Sequence, residues 1–272
     1  MQNLFYKIKY FFGTIYRGLI GRYHNFFDKA PQIKSGAEWY SLGTSTQGHN
    51  IRCYKFGHGE KKVLLIGGIH GNEVGTVKLA HYLVNWLYNN QEKFFNLTVF
   101  VIPCLNPDGA EVARQFPDYK HRGRIGRLNA RDVDLNRNFP TADFISQTTW
   151  KTGRDYQDET IVVFGGEFGG SEAETKIVMD LIKNENIKNV IAFHNMGSDV
   201  MPVPGDAVAE TWAQIYFKKA KFKIRYNVNL SGSLSSWAKE NNIHYLTVEG
   251  SSRWGSDWRQ QHKAIEEILT LI

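Results

Sequence analysis

Apolar positions along the chain fall into two patterns. In the first, unbroken runs of aliphatic and β-branched residues end in glycine or a polar turn: Val63 to Ile69, Leu97 to Cys104, Asn189 to His194, and His244 to Glu249. Runs of this length bounded by turn residues read as strands buried on both faces. In the second, apolar residues return every three or four positions. Val74, Val77, Ala80, Leu83, Val84 and Leu87 trace such a stripe, which predicts a helix running to Asn89. Further helices are predicted over residues 172–184, 207–220, 233–241 and 260–272, and residues 37–58 read as two short strands around a polar turn. Strands alternating with helices make an α/β fold, a mixed and mostly parallel twisted sheet flanked by helices.

The polar stretches are less regular. The sequence NPDG at Asn106–Gly109 reads as a turn, and residues 110–160 form a long polar region of little periodicity. The Gly-rich segment Gly165–Gly170 lacks the Lys-Ser/Thr of a phosphate cradle, so it reads as a plain loop. Ser171 with Glu174 then forms a capping box for the next helix.

Length changes the picture little: 272 residues, 42% of them hydrophobic, suffice for one domain with a large core. Charge changes it more. Residues 1–36 carry six Lys and Arg against Asp28, so this extension holds five of the chain's net six positive charges. The body, 37–272, is nearly neutral, which argues against a nucleic-acid-binding face. Within the extension Leu4, Ile8, Phe11, Phe12, Ile15 and Leu19 line one side of a predicted basic amphipathic helix. Such a helix suits peripheral contact with a membrane interface, or packing on the body or a second subunit. It is too short to span a bilayer, and Arg17 breaks the apolar run a secretory signal needs, so a cytoplasmic, membrane-associated protein is expected. Cys53 and Cys104 have no metal-ligand spacing and read as buried free thiols.

The candidate chemistry lies where strands end. His70 and Glu73 stand in the Gly-rich turn after one buried run, His194 closes a second and Glu249 a third. A lone HxxE carries little weight, but in an open α/β sheet ligands bind at the carboxyl edge, where these strands deliver two imidazoles and two carboxylates. Two His, one Glu and a water complete a tetrahedral catalytic zinc site, leaving the other carboxylate for proton transfer. The plainer readings are a core histidine for His194, a strand-end charge for Glu249 and turn caps for Asn129, Asn136 and Asn138. His49, His58, His81, His121, His244 and His262 read as structural or solvent-exposed.

These residues carry a family resemblance. GGIHGNE, NPDG, the run RLNARDVDLNRNFP from Arg127 to Pro140, a strand-end His about 120 residues after the first, and the late strand-end Glu together resemble the zinc carboxypeptidases typified by carboxypeptidase A. The resemblance spans roughly residues 60–255, and within the family the chain most resembles the bacterial murein peptide amidases. It implies one zinc per chain, with His70, Glu73 and His194 as ligands and Glu249 as the general base. Arg127 would polarise the scissile carbonyl, Asn136 and Arg137 would grip the substrate's terminal carboxylate, and Asp134 would orient the first zinc His. The family's substrate-capping tyrosine has no clear match; Tyr226 is a loose candidate.

The implied activity is exo-acting hydrolysis of the amide before a C-terminal residue with a free carboxylate, with the γ-D-glutamyl-meso-diaminopimelate bond of murein peptides as the expected substrate. Diaminopimelate carries a second amino acid head. Asp199, Asp206 and Arg253, in loops beyond His194 and Glu249, are the places expected to meet it. A deacylase of N-acyl amino acids, a general metallocarboxypeptidase and an inactive binding module are the competing readings. Oligomeric state is not legible.

Overall fold

The computed structural model describes residues 30–115, 125–151, 160–226 and 230–272. The predicted amphipathic helix of the extension falls outside them. In chain order the described elements are β1 (Trp39–Thr44), β2 (Asn50–Phe56), β3 (Lys61–Ile66), α1 (Val74–Asn89), β4 (Leu97–Ile102), α2 (Pro107–Gln115), β5 (Gln147–Lys151), β6 (Thr160–Phe164), α3 (Ala173–Asn184), β7 (Asn189–Asn195), β8 (Asp199–Pro202), α4 (Ala207–Ala220), β9 (Lys223–Ile224), α5 (Leu234–Glu240), β10 (His244–Gly250) and α6 (Trp258–Leu271).

Eight strands form one sheet in the order β1-β2-β4-β3-β7-β10-β8-β9, and β5 pairs with β6 apart from it. The four central strands, β4, β3, β7 and β10, run parallel. Antiparallel pairings join β1 to β2, β2 to β4 and β8 to β10, and β9 runs parallel to β8. Side chains alternate across a strand, so each buried strand feeds two cores. Val63, Leu65, Val99, Val101, Ile191, Phe193, Leu246 and Val248 pack under α1, α4 and α6. Leu64, Ile66, Phe100, Ile102, Val190, Ala192 and Tyr245 pack under α3 and α5, together with Leu135 and Phe139. The sheet is thus covered on both faces, as parallel strands require.

Three local expectations are corrected. NPDG opens a helix instead of making a turn: the Asn106 side chain accepts the Gly109 N–H at 2.9 Å, and Pro107 takes the first helical position, where its missing N–H costs nothing. The capping box at Ser171 does not form. α3 starts one residue later, after Glu172, and the Ser171 hydroxyl donates to Glu172 while accepting from Asn138. Glu174 turns instead to the Thr46 N–H and the Asn129 amide, tertiary partners that outcompete the local pair. The region 110–160 contains α2 and β5, and β8 and β9 are additions to the predicted strands.

Of the extension, residues 30–36 are described, and they run along α1. The Lys34 N–H donates to Asn85, its ammonium to Asn89, and the Asn85 amide to the Gln32 carbonyl. No helix among the described residues is long and apolar enough to cross a membrane.

Candidate metal centre

Because β3, β7 and β10 are parallel neighbours, their carboxyl ends share one edge of the sheet. His194, near the end of β7, stands directly opposite Glu249 of β10. Alternation puts both on the face of Val190, Ala192 and Tyr245, toward α3 and α5. His70 reaches the same place through the turn after β3. Gly68 adopts φ +60° there and donates its N–H to the Thr76 hydroxyl, which in turn donates to the Glu73 carbonyl, tying the turn to the first residues of α1. Gly71 lets α2 come close, since a Cβ there would lie 2.1 Å from the Ala110 nitrogen. A side chain at 71 would therefore push away either α2 or the loop that carries His70 and Glu73.

The ligating atoms of His70, Glu73 and His194 all lie within 4.8 Å of one another, and all three residues are buried. His70 Nδ1 is 2.9 Å from one Glu73 oxygen, His194 Nδ1 is 3.1 Å from the other, and the two Nδ1 atoms are 3.3 Å apart. A tetrahedral zinc with bonds of about 2.0–2.1 Å separates its ligands by roughly 3.3 Å, so this donor set fits the ion in chemistry and in spacing. The group could hold one metal ion. The second nitrogen of His70, Nε2, faces Asp134 at 3.1 Å, the arrangement that fixes an imidazole tautomer. Among the described residues, His194 Nε2 is buried without a hydrogen-bond partner.

A charged network surrounds the three. Asp134 accepts Arg127 Nε at 3.1 Å and the Asn136 N–H at 3.0 Å, and an Arg127 terminal nitrogen lies 3.7 Å from Glu73. Burial works against the charge on Asp134, but the Arg127 guanidinium and His70 hold its carboxyl well below the usual range. Burial likewise opposes ionised Glu73, and the two imidazoles hold it far below its ordinary value. For His70, burial and Arg127 disfavour the imidazolium, while Glu73 and Asp134 outweigh them and raise the group. Glu249 behaves in the opposite way: burial pushes it up to about 7, with Glu73 and Asp199 adding to the rise and His194 and Arg127 opposing it.

Asn136 and Arg137 sit on the short 3₁₀ turn Leu135–Arg137, which Asp134 caps. The Asn136 side-chain oxygen accepts the Leu234 N–H at 2.9 Å, which leaves the NH₂ as the amide's donor group. Burial disfavours the Arg137 cation and Arg127 adds to this, against the pull of Asp134, so Arg137 shares the network of Arg127 and Asp134. The structure thus brings together His70, Glu73, His194, Glu249, Arg127, Asp134, Asn136 and Arg137. It leaves Asn129 and Asn138 as loop braces, the first bonded to Glu172 and the second to Gly165 and Ser171. Asp206 caps α4 and pairs with His244, while the Arg253 carbonyl accepts the Gly75 N–H at the start of α1. Asp199 does reach the site, opposite Glu249, and brings Arg225, which sequence reasoning missed. The alternating Lys223 and Arg225 were a faint signal for it, lost because β9 is only two residues long.

The profile of the zinc carboxypeptidase family matches residues 23–265. The chain belongs to that family. It is a hydrolase of the zinc metallocarboxypeptidase type, and zinc is the metal the His–Glu–His group suits. Murein peptide amidase A of Escherichia coli is 27% identical over 187 residues, which are 68% of this chain and 69% of that protein. Among solved structures, the murein-tripeptide amidase of Escherichia coli aligns with TM-score 0.66 at 23% identity, covering 90% of this chain and 95% of that one. Carboxypeptidase A of Helicoverpa armigera aligns with TM-score 0.66 at 18% identity, covering 86% and 68%. These alignments agree with the mixed sheet flanked by helices described above.

Proposed function

We propose that this protein is an exo-acting zinc peptidase that hydrolyses the amide before a C-terminal residue with a free carboxylate, in murein peptides the γ-D-glutamyl-meso-diaminopimelate bond. The observation that carries the reading is the convergence of a buried His–Glu–His group, a carboxyl poised near neutrality and a donor cluster at Asn136 and Arg137 on one sheet edge. The murein substrate rests on the similarity to murein peptide amidase A.

In this reading His70, Glu73 and His194 hold the zinc, which when bound activates water and polarises the scissile carbonyl. Glu249 takes a proton from the attacking water and returns it to the departing amine. A carboxyl near 7 suits both transfers. Arg127 places a guanidinium beside the site, where negative charge develops on the carbonyl oxygen. Asp134 orients both His70 and Arg127, so one carboxylate sets the direction of a ligand and of a cation. Arg137 and the Asn136 NH₂ receive the terminal carboxylate, which limits cleavage to the last bond.

The test compares L-Ala-γ-D-Glu-meso-diaminopimelate with the same peptide amidated at the carboxyl end, and with an N-acyl amino acid. The free acid is expected to be cleaved at least about 10²-fold faster than the amide, because a charged clamp loses its partner. Equal rates would remove the clamp, and preference for the acyl amino acid would make the protein a deacylase.

The extension adds a proposed contact with a membrane surface, supported by its charge and apolar stripe. Protein lacking residues 1–29 is expected to cleave soluble peptide normally and to lose sedimentation with anionic liposomes. Undiminished sedimentation would refute the contact.

A further inference from the structure

The sheet face that carries the site continues outward past Glu249. In register across the strands, His194 of β7, Glu249 of β10, Asp199 of β8 and Lys223 of β9 form one row. The next row inward reads Ala192, Thr247, Met201, and then Arg225, whose N–H donates to the Val200 carbonyl just past β9. Residues in register on neighbouring strands, or two apart along one strand, project from the same side. Ile224 and Val200 pack into the opposite core, as this alternation requires. Arg225 is therefore on the site face, with its side chain reaching back to Asp199.

That contact is an ion pair. Arg225 Nε lies 2.7 Å from an Asp199 oxygen; the Asp199 side chain is 3% exposed and that of Arg225 is 54% exposed. Among the described residues, neither terminal nitrogen of Arg225 makes a hydrogen bond. A buried anion thus pairs with a guanidinium whose side chain is itself half exposed, with no hydrogen bond on its terminal nitrogens among the described residues. A planar fork presented this way matches a carboxylate through two parallel hydrogen bonds. Strands lie about 4.8 Å apart, so Asp199 is on the order of 10 Å from His194, about three residues of extended backbone, a span that a substrate's acid-bearing side chain and the Arg225 side chain can cover together. This fork is separate from Asn136 and Arg137, which are anchored through Asp134 and Leu234 on a different segment.

We propose that Arg225, positioned by Asp199, binds a second carboxylate of the substrate, distinct from the terminal one, and so sets a preference for peptides that carry an additional acid group. This rests on the exopeptidase reading of the site. The second acid can lie on the side chain of the released residue or on the acyl residue beside the bond. In the proposed murein peptide both positions are filled, by the distal head of diaminopimelate and by the free α-carboxylate of γ-D-glutamate.

The experiment measures kcat/KM of the zinc-loaded full chain on four peptides, with an acid or its neutral amide on the side chain of the released residue and, independently, on the acyl residue. The parent is expected to prefer one acid-bearing member over its neutral partner by about 10- to 100-fold, the usual worth of a charged hydrogen-bonded pair. The pair that shows the ratio identifies the source of the carboxylate. Arg225→Gln is expected to bring that ratio to near 1 chiefly through KM, Arg225→Lys to an intermediate value, and Asp199→Asn to lower it with the guanidinium still present. An unchanged ratio in Arg225→Gln, or a parent with no preference on either side, overturns the inference. If the parent cleaves none of the four while retaining zinc, the exopeptidase reading itself fails.

Discussion

Purified His194→Ala protein is expected to contain less than about a tenth of the parent's zinc after dialysis. The His–Glu–His group supplies three protein donors, and zinc sites of the open, catalytic kind have no fourth protein ligand in reserve. Losing a partner outside the ligand sphere already costs about 10- to 10²-fold in affinity, so losing a ligand costs more. The variant should still fold, since among the described residues the His194 side chain makes no hydrogen bond beyond its contacts with Glu73 and His70, and the backbone pairing of β7 with β10 is left in place. Metal analysis beside a circular dichroism spectrum separates loss of metal from loss of structure. Full zinc content in the folded variant would mean that the ligand set is wrong.

Glu249→Gln should do the reverse: zinc retained, turnover reduced by about 10²- to 10⁴-fold, the usual worth of a positioned proton carrier. Gln has nearly the shape of Glu and can still pair across from His194, so the strand register has no reason to shift. It cannot accept a proton. The burial that raises Glu249 to about 7 disfavours a charge there, and the neutral amide removes that cost, so the variant should be no less stable than the parent. The informative comparison is single-turnover rate against metal content. Turnover within threefold of the parent would assign the proton transfer to another group.

The strongest parts of this architecture were legible because each is written locally. His70, His194 and Glu249 each close a run of apolar residues, so the period of the sequence places them at strand ends without knowledge of the pairing. α1 is likewise written in its own stripe of apolar residues. The missed pieces depend on partners far away in the chain. α2 buries only Ala110 and Ala113 among its apolar residues, too few to show a stripe, and its start is set by the Asn106 cap. Ser171 and Glu174 match a local capping pattern, yet Asn138, Thr46 and Asn129 claim their side chains. Arg225 acquires its position only when β9 is laid beside β8, and two residues of strand leave almost no period to read.

β10 is the last strand in the chain, and it lies inside the sheet, between β7 and β8. Until it is inserted, β7 has an open edge and the β8–β9 pair has no hydrogen-bonded route to the rest of the sheet. Non-local pairings of this kind are slow to form, because the intervening loops must close before any contact rewards them. Ordering of the whole outer third of the sheet therefore waits on residues His244–Gly250, the same seven that carry Glu249. During synthesis Glu249 arrives together with the segment that joins the outer strands to the sheet, so a growing chain that has not yet closed this sheet lacks the carboxyl that faces His194.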